Sequence, residues 1–395
     1  MTDTFQLLVA LVAAGRNLKP RHPYNLKSLT EDQKKPLITQ ARQHKVLGAL
    51  YQGLKALSGD DSAAFVKPFG MPGRILRGLL VQEWKVLVKR LRELNIPCLT
   101  IKGPASSLAF YQDPFVREFR DLDLLVKTSD FKELLEPMAT LGYHPYETYD
   151  TRFFERPRHS YFEYTHHLEF QKEGKPLFVE MHDRTWKAYQ KDISKEEIDL
   201  WAQASQLSWE GQNFDVLNPI DHAVYIMRHG STHAWCLLHW LLDLAQILTM
   251  QDSVFHLELA KRLKTQGLHK TFSAAWYVLD QYFQVELPKP YTELLVMTVP
   301  LQVAVDYSSK QLLTGGKTQS SLLQQIYLHL RYVRIVKPGS TRGLLASSVQ
   351  YLKVQMGDFI LCPLPRPFHF LLPFVRPFLF AYRRLKTLLT RSSND

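Results

Sequence analysis

Two aspartates separated by a single residue, Asp121 and Asp123, open an apolar run and have the arrangement best suited to chemistry. Side chains at positions i and i+2 of a strand point to the same face, so the two carboxylates would project together, away from Leu122 and Leu124. Two aligned carboxylates can hold a pair of divalent cations about 4 Å apart, as phosphoryl and nucleotidyl transfer require. The spacing therefore predicts a catalytic, metal-binding pair at positions 121 and 123.

A third carboxylate, Glu180, lies in the alternating segment 176–183. The alternation places Glu180 and His182 on one face, with Val179 and Met181 on the other. The run 161–170 is also strand-like and is expected to pair with 177–182 across the turn at 172–175. A carboxylate on a neighbouring strand could bind the second metal ion or accept a proton from an attacking hydroxyl.

The alternation around Glu180 is equally typical of an exposed strand face, and His182 could be a buried histidine bonded to the backbone. We nevertheless predict Asp121, Asp123 and Glu180 as catalytic and metal-binding residues. His182 is a possible cleft residue.

Basic residues close to the aspartates could contact phosphate groups. Lys102 directly precedes Gly103, and Arg117 and Arg120 precede Asp121. These four positions (102, 103, 117 and 120) are predicted to bind nucleotide. Arg120 could instead pair with a neighbouring carboxylate, which favours Arg117 of the two arginines.

The order of these residues resembles a known family. The order is Lys102-Gly103, then residues 111–114, then Arg117-x-x-x-Asp121-x-Asp123. It is similar to the broad, largely uncharacterised nucleotidyltransferase-like family, a distant branch of the DNA polymerase β-type nucleotidyltransferase superfamily. Weaker similarity extends to residues 41–51, 180–182, 229–245 and 371–377. The chain departs from the superfamily at Lys102-Gly103, which stands in place of the usual Gly-Ser turn.

The resemblance implies an activity and its ligands. It implies transfer of an NMP from an NTP, ATP being the first expectation, to a hydroxyl-bearing acceptor with the help of Mg²⁺ or Mn²⁺. Two alternatives remain open: a non-catalytic module of the same fold that binds nucleotide or a partner, and a toxin-like transferase that modifies tRNA or protein. Fold-level analogy does not choose the acceptor.

The pattern of the chain predicts an α+β fold, with a small mixed sheet flanked by helical regions at both ends. The resemblance implies that this sheet is of the nucleotidyltransferase type. We predict a helical region over 1–95, a catalytic core over 96–215, a helical domain over 216–309 and a basic, Pro- and aromatic-rich region over 310–395. Expected strands lie near 98–101, 122–126, 143–148, 161–170 and 177–182. Asp243, in the helical domain, is predicted either to pack that domain on the sheet or to line the cleft.

Composition narrows the class of protein. The 395 residues are 45% hydrophobic, enough for a large core. The three cysteines are far apart, which argues against a disulfide framework or a cysteine zinc site and suits a reducing cytoplasm. The apolar stretch 5–14 lacks a preceding basic segment, so we interpret it as a core helix rather than a signal peptide.

Positive charge is concentrated near the C-terminus. Residues 310–395 contain thirteen Lys or Arg and two acids, a difference of +11 that equals the net charge of the whole chain. Prolines and arginines interrupt the apolar run 359–380, which argues against a membrane-spanning helix. The tail could bind an anionic membrane surface or another polyanion, giving a membrane-peripheral location, or it could pack on the body of the protein.

Overall fold

The computed structural model describes residues 3–22, 29–146, 167–185, 199–250, 252–316 and 322–336, and then 358, 361–362, 364–371, 374–379 and 382. Within these ranges the α-helices are α1 Asp3–Ala14, α2 Glu31–Gln43, α3 Leu47–Ala63, α4 Lys67–Glu93, α5 Pro104–Tyr111, α6 Phe131–Thr140, α7 Pro219–Thr232, α8 Leu238–Met250, α9 Ser253–Thr265, α10 His269–Asp280, α11 Val299–Thr314 and α12 Leu322–Val336. The strands are β1 Cys98–Thr100, β2 Asp121–Val126, β3 Tyr143–Pro145, β4 His167–Lys172, β5 Phe178–His182, β6 Ser205–Trp209 and β7 Gln212–Val216.

The strands in the described ranges form one mixed sheet in the order β3-β4-β5-β2-β1-β7-β6. Strand β2 lies at its centre, parallel to β5 and antiparallel to β1. Strand β5 is antiparallel to β4, and β1 is parallel to β7. The predicted α+β class, with a mixed sheet flanked by helices, is confirmed.

The predicted pairing of β4 with β5 is confirmed, although β4 begins at His167 and residues 161–166 lie outside the described residues. The hairpin of β6 and β7 was not predicted from the sequence. Its turn consists of Glu210 and Gly211, both with positive φ (45° and 76°), the backbone that two-residue hairpins favour. Polar residues alternate along both strands, because the hairpin lies at the edge of the sheet.

Helix α4 packs against one face of the sheet through a buried stripe. Trp84 is fully buried, stacks on Phe214 of β7 with ring centroids 3.6 Å apart, and donates a 2.8 Å hydrogen bond from Nε1 to Thr100 Oγ1. The hydrogen bond satisfies the one polar group that this ring carries into the core. Helix α4 thereby fixes the strands from which the candidate site is built.

Besides the core between α4 and the sheet, the described part of the protein has two further apolar cores. The largest joins buried residues of α1–α3 to those of the later helices, from α7 to α12, so helices from both ends of the sequence share one apolar interior. A small cluster on the opposite face of the sheet places Tyr225 of α7 against Leu99, Ile101 and Leu125. Helix α7 therefore lies over the sheet face that carries the aspartates.

The described part of the C-terminal region contains a buried ion pair. Arg376 Nε lies 3.7 Å from Asp358 Oδ2, and both side chains are buried. Nearby, Phe374 and Phe378 are exposed. Among the described residues no helix is both long and apolar enough to cross a membrane. Binding of the tail to a membrane surface stays a prediction.

Candidate active site on the central strands

The sheet register brings the predicted acids together. Parallel pairing of β2 with β5 places Asp123 opposite Glu180 and Leu125 opposite His182. Asp121 lies two residues before Asp123 at the start of β2, on the same face of the sheet. Residues that are almost 60 positions apart in sequence therefore converge because two strands lie side by side.

Asp123 is the centre of a buried charge network. Its side chain is fully buried, and its Oδ1 lies 2.8 Å from Lys102 Nζ and 3.1 Å from His182 Nε2. The same His182 nitrogen lies 3.2 Å from Glu180 Oε2. Asp123 Oδ2 has no hydrogen-bond partner among the described residues. A buried carboxylate oxygen without a partner is costly, so this atom is suited to receive a cation or a proton donor.

Lys102 is held in its charged form. Burial alone would lower the pKa of this ammonium group, but the nearby carboxylates, Asp123 first among them, raise it well above its ordinary value. The charge therefore remains available at the face where the two aspartates converge. This is the position in which the sequence predicted a phosphate-binding lysine.

Gly103 connects the end of β1 to helix α5 in a conformation that side chains rarely adopt. Its φ is +67° and its ψ is −124°, and a Cβ here would lie 3.4 Å from the carbonyl oxygen of Asp121. Glycine alone reaches this backbone without strain. Helix α5 consequently begins next to Asp121.

Burial changes the titration of the surrounding groups. Burial raises the pKa of Asp121, and the neighbouring Asp123 charge raises it further. Burial acts to lower the pKa of His182, but its hydrogen bonds to Asp123 and Glu180 raise it overall. For Glu180, burial opposes ionisation, yet the hydrogen bond from His182 and the charge of Lys102 lower the pKa to about 2. The cluster thus keeps ionised groups in a largely water-excluded site.

Arg117 lies in a buried ion pair rather than in open solvent. Its Nε donates to both carboxylate oxygens of Asp243, at 3.2 Å and 3.0 Å, and Tyr111 donates a 2.7 Å hydrogen bond to the same carboxylate. Asp243 is fully buried in α8. The pair therefore joins the segment before β2 to the helical region. The nucleotide contact predicted for Arg117 stays a prediction.

Two basic residues lie near Asp121, and only one of them, Arg120, was predicted from the sequence. Arg120 is exposed beside the site, as its predicted contact with nucleotide needs. Lys45 was not singled out from the sequence. It lies in the loop between α2 and α3 with a φ of +56°. Burial lowers the pKa of Lys45 and the Asp121 charge acts to raise it, so this ammonium group lies within electrostatic range of the aspartate.

An aromatic and imidazole face of the helical region lies near the charged cluster. His229 is stacked over Tyr225 and makes an edge contact with Trp240, and the exposed His233 stacks on the same tryptophan with ring centroids 5.0 Å apart. Burial, followed by the charge of Lys102, lowers the pKa of His229 well below its ordinary value. Flat side chains of this kind suit stacking against a planar ligand.

His167 was also not singled out from the sequence. Antiparallel pairing of β4 with β5 places it opposite His182, with ring centroids 5.2 Å apart. The signal was a His-x-Glu in one strand and a Glu-x-His in the next. A hairpin turn brings two such patterns into register only when its length is known.

Comparison with known proteins gives the following. A family model described as an uncharacterised nucleotidyltransferase matches residues 30–284, more than half of the chain. No curated protein matches the sequence. Among solved structures, the chain is similar to an antigenic nucleotidyltransferase-like protein from Paracoccidioides brasiliensis. The identity is 16%, the match covers 51% of this chain and 92% of that chain, and the TM-score is 0.29.

Proposed function

This chain belongs to the uncharacterised nucleotidyltransferase family, and on that premise we propose that it is a metal-dependent nucleotidyltransferase. It moves an NMP from an NTP, ATP being the first to test, to a hydroxyl-bearing acceptor. The observation that carries the proposal is the register of β2 and β5. It aligns Asp123 with Glu180, with Asp121 on the same face.

Carboxylates at 121, 123 and 180 form the oxygen-rich ligand set that Mg²⁺ or Mn²⁺ prefers. The unpartnered Oδ2 of buried Asp123 supports the fit, because a cation would compensate its charge. When bound, the ion would stabilise negative charge that develops on the triphosphate. Glu180 either shares that ion or accepts the proton of the acceptor hydroxyl.

The remaining roles follow from charge and position. Lys102, Lys45 and Arg120 form a cationic rim around the aspartates and would hold the β- and γ-phosphates. The exposed His233, which stacks on Trp240, would contact the nucleobase or the acceptor. Positioning the reactants for in-line attack accounts for much of the rate of such reactions.

Transfer of labelled nucleotide tests the proposal directly. The purified protein is incubated with Mg²⁺ or Mn²⁺ and each α-labelled NTP, with cell lysate as the source of acceptor. Asp121→Asn/Asp123→Asn is the variant expected to be inactive. The matched control is Asp215→Asn, which replaces a carboxylate on β7 of the same sheet. We expect label transfer from the wild type and the control only, while circular dichroism spectra remain alike. The size of the labelled species then separates small-molecule, RNA and protein acceptors.

A second candidate is a module of the same fold that binds nucleotide without transferring it. The contact of Lys102 and His182 with Asp123 Oδ1 favours it, because an internal ammonium group already neutralises part of the acidic cluster. Metal-dependent nucleotide binding in calorimetry, with no label transferred, would support this candidate. Absence of both binding and transfer would overturn the enzyme proposal.

A further inference from the structure

A mixed imidazole and carboxylate cluster lies beside the aspartates. His167, Glu180 and His182 each offer a ligand atom, and these three atoms lie within 4.8 Å of one another. Two ligands of one ion are at most about 4.4 Å apart, because metal–nitrogen and metal–oxygen bonds in such sites are about 2.0–2.2 Å long. Side-chain adjustments of a few tenths of an ångström would therefore let one ion contact all three. The three residues are called the His-Glu-His cluster below.

The sheet, rather than a loop, fixes the positions of the cluster. Antiparallel pairing places His167 opposite His182 and Glu169 opposite Glu180. Side chains at paired positions of an antiparallel ladder share one face, with Cβ atoms about 4.5–5.5 Å apart. Glu180 is two residues before His182 on the same strand, so it shares that face. A ligand set built on two paired strands is held more rigidly than one built on loops.

The neighbouring Asp123 carboxylate also favours a cation at this place. Asp123 is fully buried, its Oδ1 lies 3.1 Å from His182 Nε2, and its Oδ2 has no hydrogen-bond partner in the described part of the chain. Leaving a buried carboxylate oxygen unsatisfied costs free energy that a bound cation would recover. Asp123 therefore adds negative charge beside the cluster from the neighbouring strand, which favours a bound cation there.

The donor set selects the class of ion. Two imidazoles with carboxylates suit a borderline divalent transition metal such as Zn²⁺, whereas Mg²⁺ and Ca²⁺ prefer oxygen ligands alone. We propose that the His-Glu-His cluster binds one divalent transition-metal ion of the Zn²⁺ class, beside the buried Asp123 carboxylate. Glu180 belongs both to this cluster and to the proposed magnesium ligands, so the transition-metal ion would share its carboxylate with the magnesium site. Its catalytic consequence rests on the proposed function, but its binding can be measured without any nucleotide.

Metal titration of the full chain, stripped with a chelator, tests the proposal. Calorimetry with Zn²⁺ and, separately, with Mg²⁺ compares the wild type with His167→Gln. The matched control is His144→Gln, a more exposed histidine on β3 of the same sheet. We expect one equivalent of Zn²⁺ to bind to the wild type and the control. His167→Gln should bind Zn²⁺ at least ~10-fold more weakly, since even residues that only orient metal ligands change affinity by that much.

Visible absorption of bound Co²⁺ in the wild type provides a second readout that does not depend on any variant folding. Intense d–d bands from one equivalent of Co²⁺ would support nitrogen ligation in a low-coordinate site. Equal Zn²⁺ affinity in His167→Gln and His144→Gln, or weak octahedral Co²⁺ bands in the wild type, would overturn the proposal. Zn²⁺ binding without label transfer would keep this site and remove the transferase. Label transfer without Zn²⁺ binding would do the reverse.

Discussion

At the scale of single residues, burial decides what each charged group near the site can do. Lys102 keeps its proton because the carboxylates outweigh the effect of burial on its pKa. Arg117 is buried against Asp243, so its guanidinium group is fixed in direction before any ligand arrives. Such a pair contributes specificity of position more than net stability, because desolvation offsets most of the Coulombic attraction.

Replacing Arg117 alone should therefore lower the stability of the fold far more than replacing Arg117 and Asp243 together. Arg117→Met leaves the Asp243 carboxylate buried without its countercharge, and we expect the free energy of unfolding to fall by about 3–5 kcal/mol. In Arg117→Met/Asp243→Asn no charge is stranded, and the amide oxygen can still accept the Tyr111 hydrogen bond. Most of the loss should then be recovered in urea unfolding. Equal losses in the single and double variants would contradict a charge effect.

The meeting of Asp121, Asp123, Glu180 and His182 on one face could be anticipated because strand periodicity is local. Each strand's alternation is readable from its own letters, and the short turn at 172–175 suggested which strands pair. The roles of His167 and Lys45 could not be anticipated in this way. His167 needs the register of β4 against β5, and Lys45 comes from a loop between helices that is distant from β2 in sequence.

At the scale of elements, the turn from β1 into α5 sets the geometry of the site. Lys102 and Gly103 lie next to β2 because the chain reverses at Gly103, through a backbone conformation that only glycine adopts easily. The sequence showed the Lys-Gly pair, but it gave no signal of the φ and ψ that the turn requires. The resemblance suggested a phosphate role for the glycine, whereas the structure adds a conformational one.

Substitution of Gly103 tests that conformational role. In Gly103→Ala the Cβ makes only an ordinary 3.4 Å contact with the Asp121 carbonyl, so strain in the backbone is the main cost. We expect a loss of about 1–3 kcal/mol in unfolding free energy. The matched control is Gly70→Ala in helix α4, where nothing lies within 4 Å of the added carbon. That control should be neutral or stabilising by up to ~1 kcal/mol. Thermal unfolding with equal loss in both variants would argue against strain at position 103.

At the scale of the whole molecule, the two ends of the sequence share one interior. Helices α1–α3 pack with the helices that follow the sheet, while α4 alone of the first four lies mainly in the core of the sheet. Hydrophobic periodicity predicts each amphipathic helix but not its partner, since an apolar face does not specify which other helix packs against it. For that reason the helical flanks were predictable, and their common core was not.

That interior contains several histidines that folding keeps neutral. Burial lowers the pKa of His44 to about 4, that of His222 to about 3, and that of His239 well below its ordinary value. His44 is 1% exposed, and its Nδ1 accepts a hydrogen bond from the backbone N–H of Leu238, at 3.2 Å. Protonation of that nitrogen would break this hydrogen bond between the loop that follows α2 and the start of α8.

Acid should therefore destabilise the protein through the lowered pKa of His44. The unfolded chain takes up a proton at His44 near pH 6.5 and the folded chain only near pH 4. The contribution of neutral His44 to the free energy of unfolding is therefore fully present above pH 6.5. It is lost as the pH falls from 6.5 to 4, by about 3 kcal/mol in total. His44→Asn removes the titration, and its amide oxygen can still accept from Leu238. In urea unfolding from pH 8 to pH 4, we expect the wild type to lose more stability than the variant, and the difference to grow below pH 6.5. Parallel curves would show that His44 is protonated equally in both states.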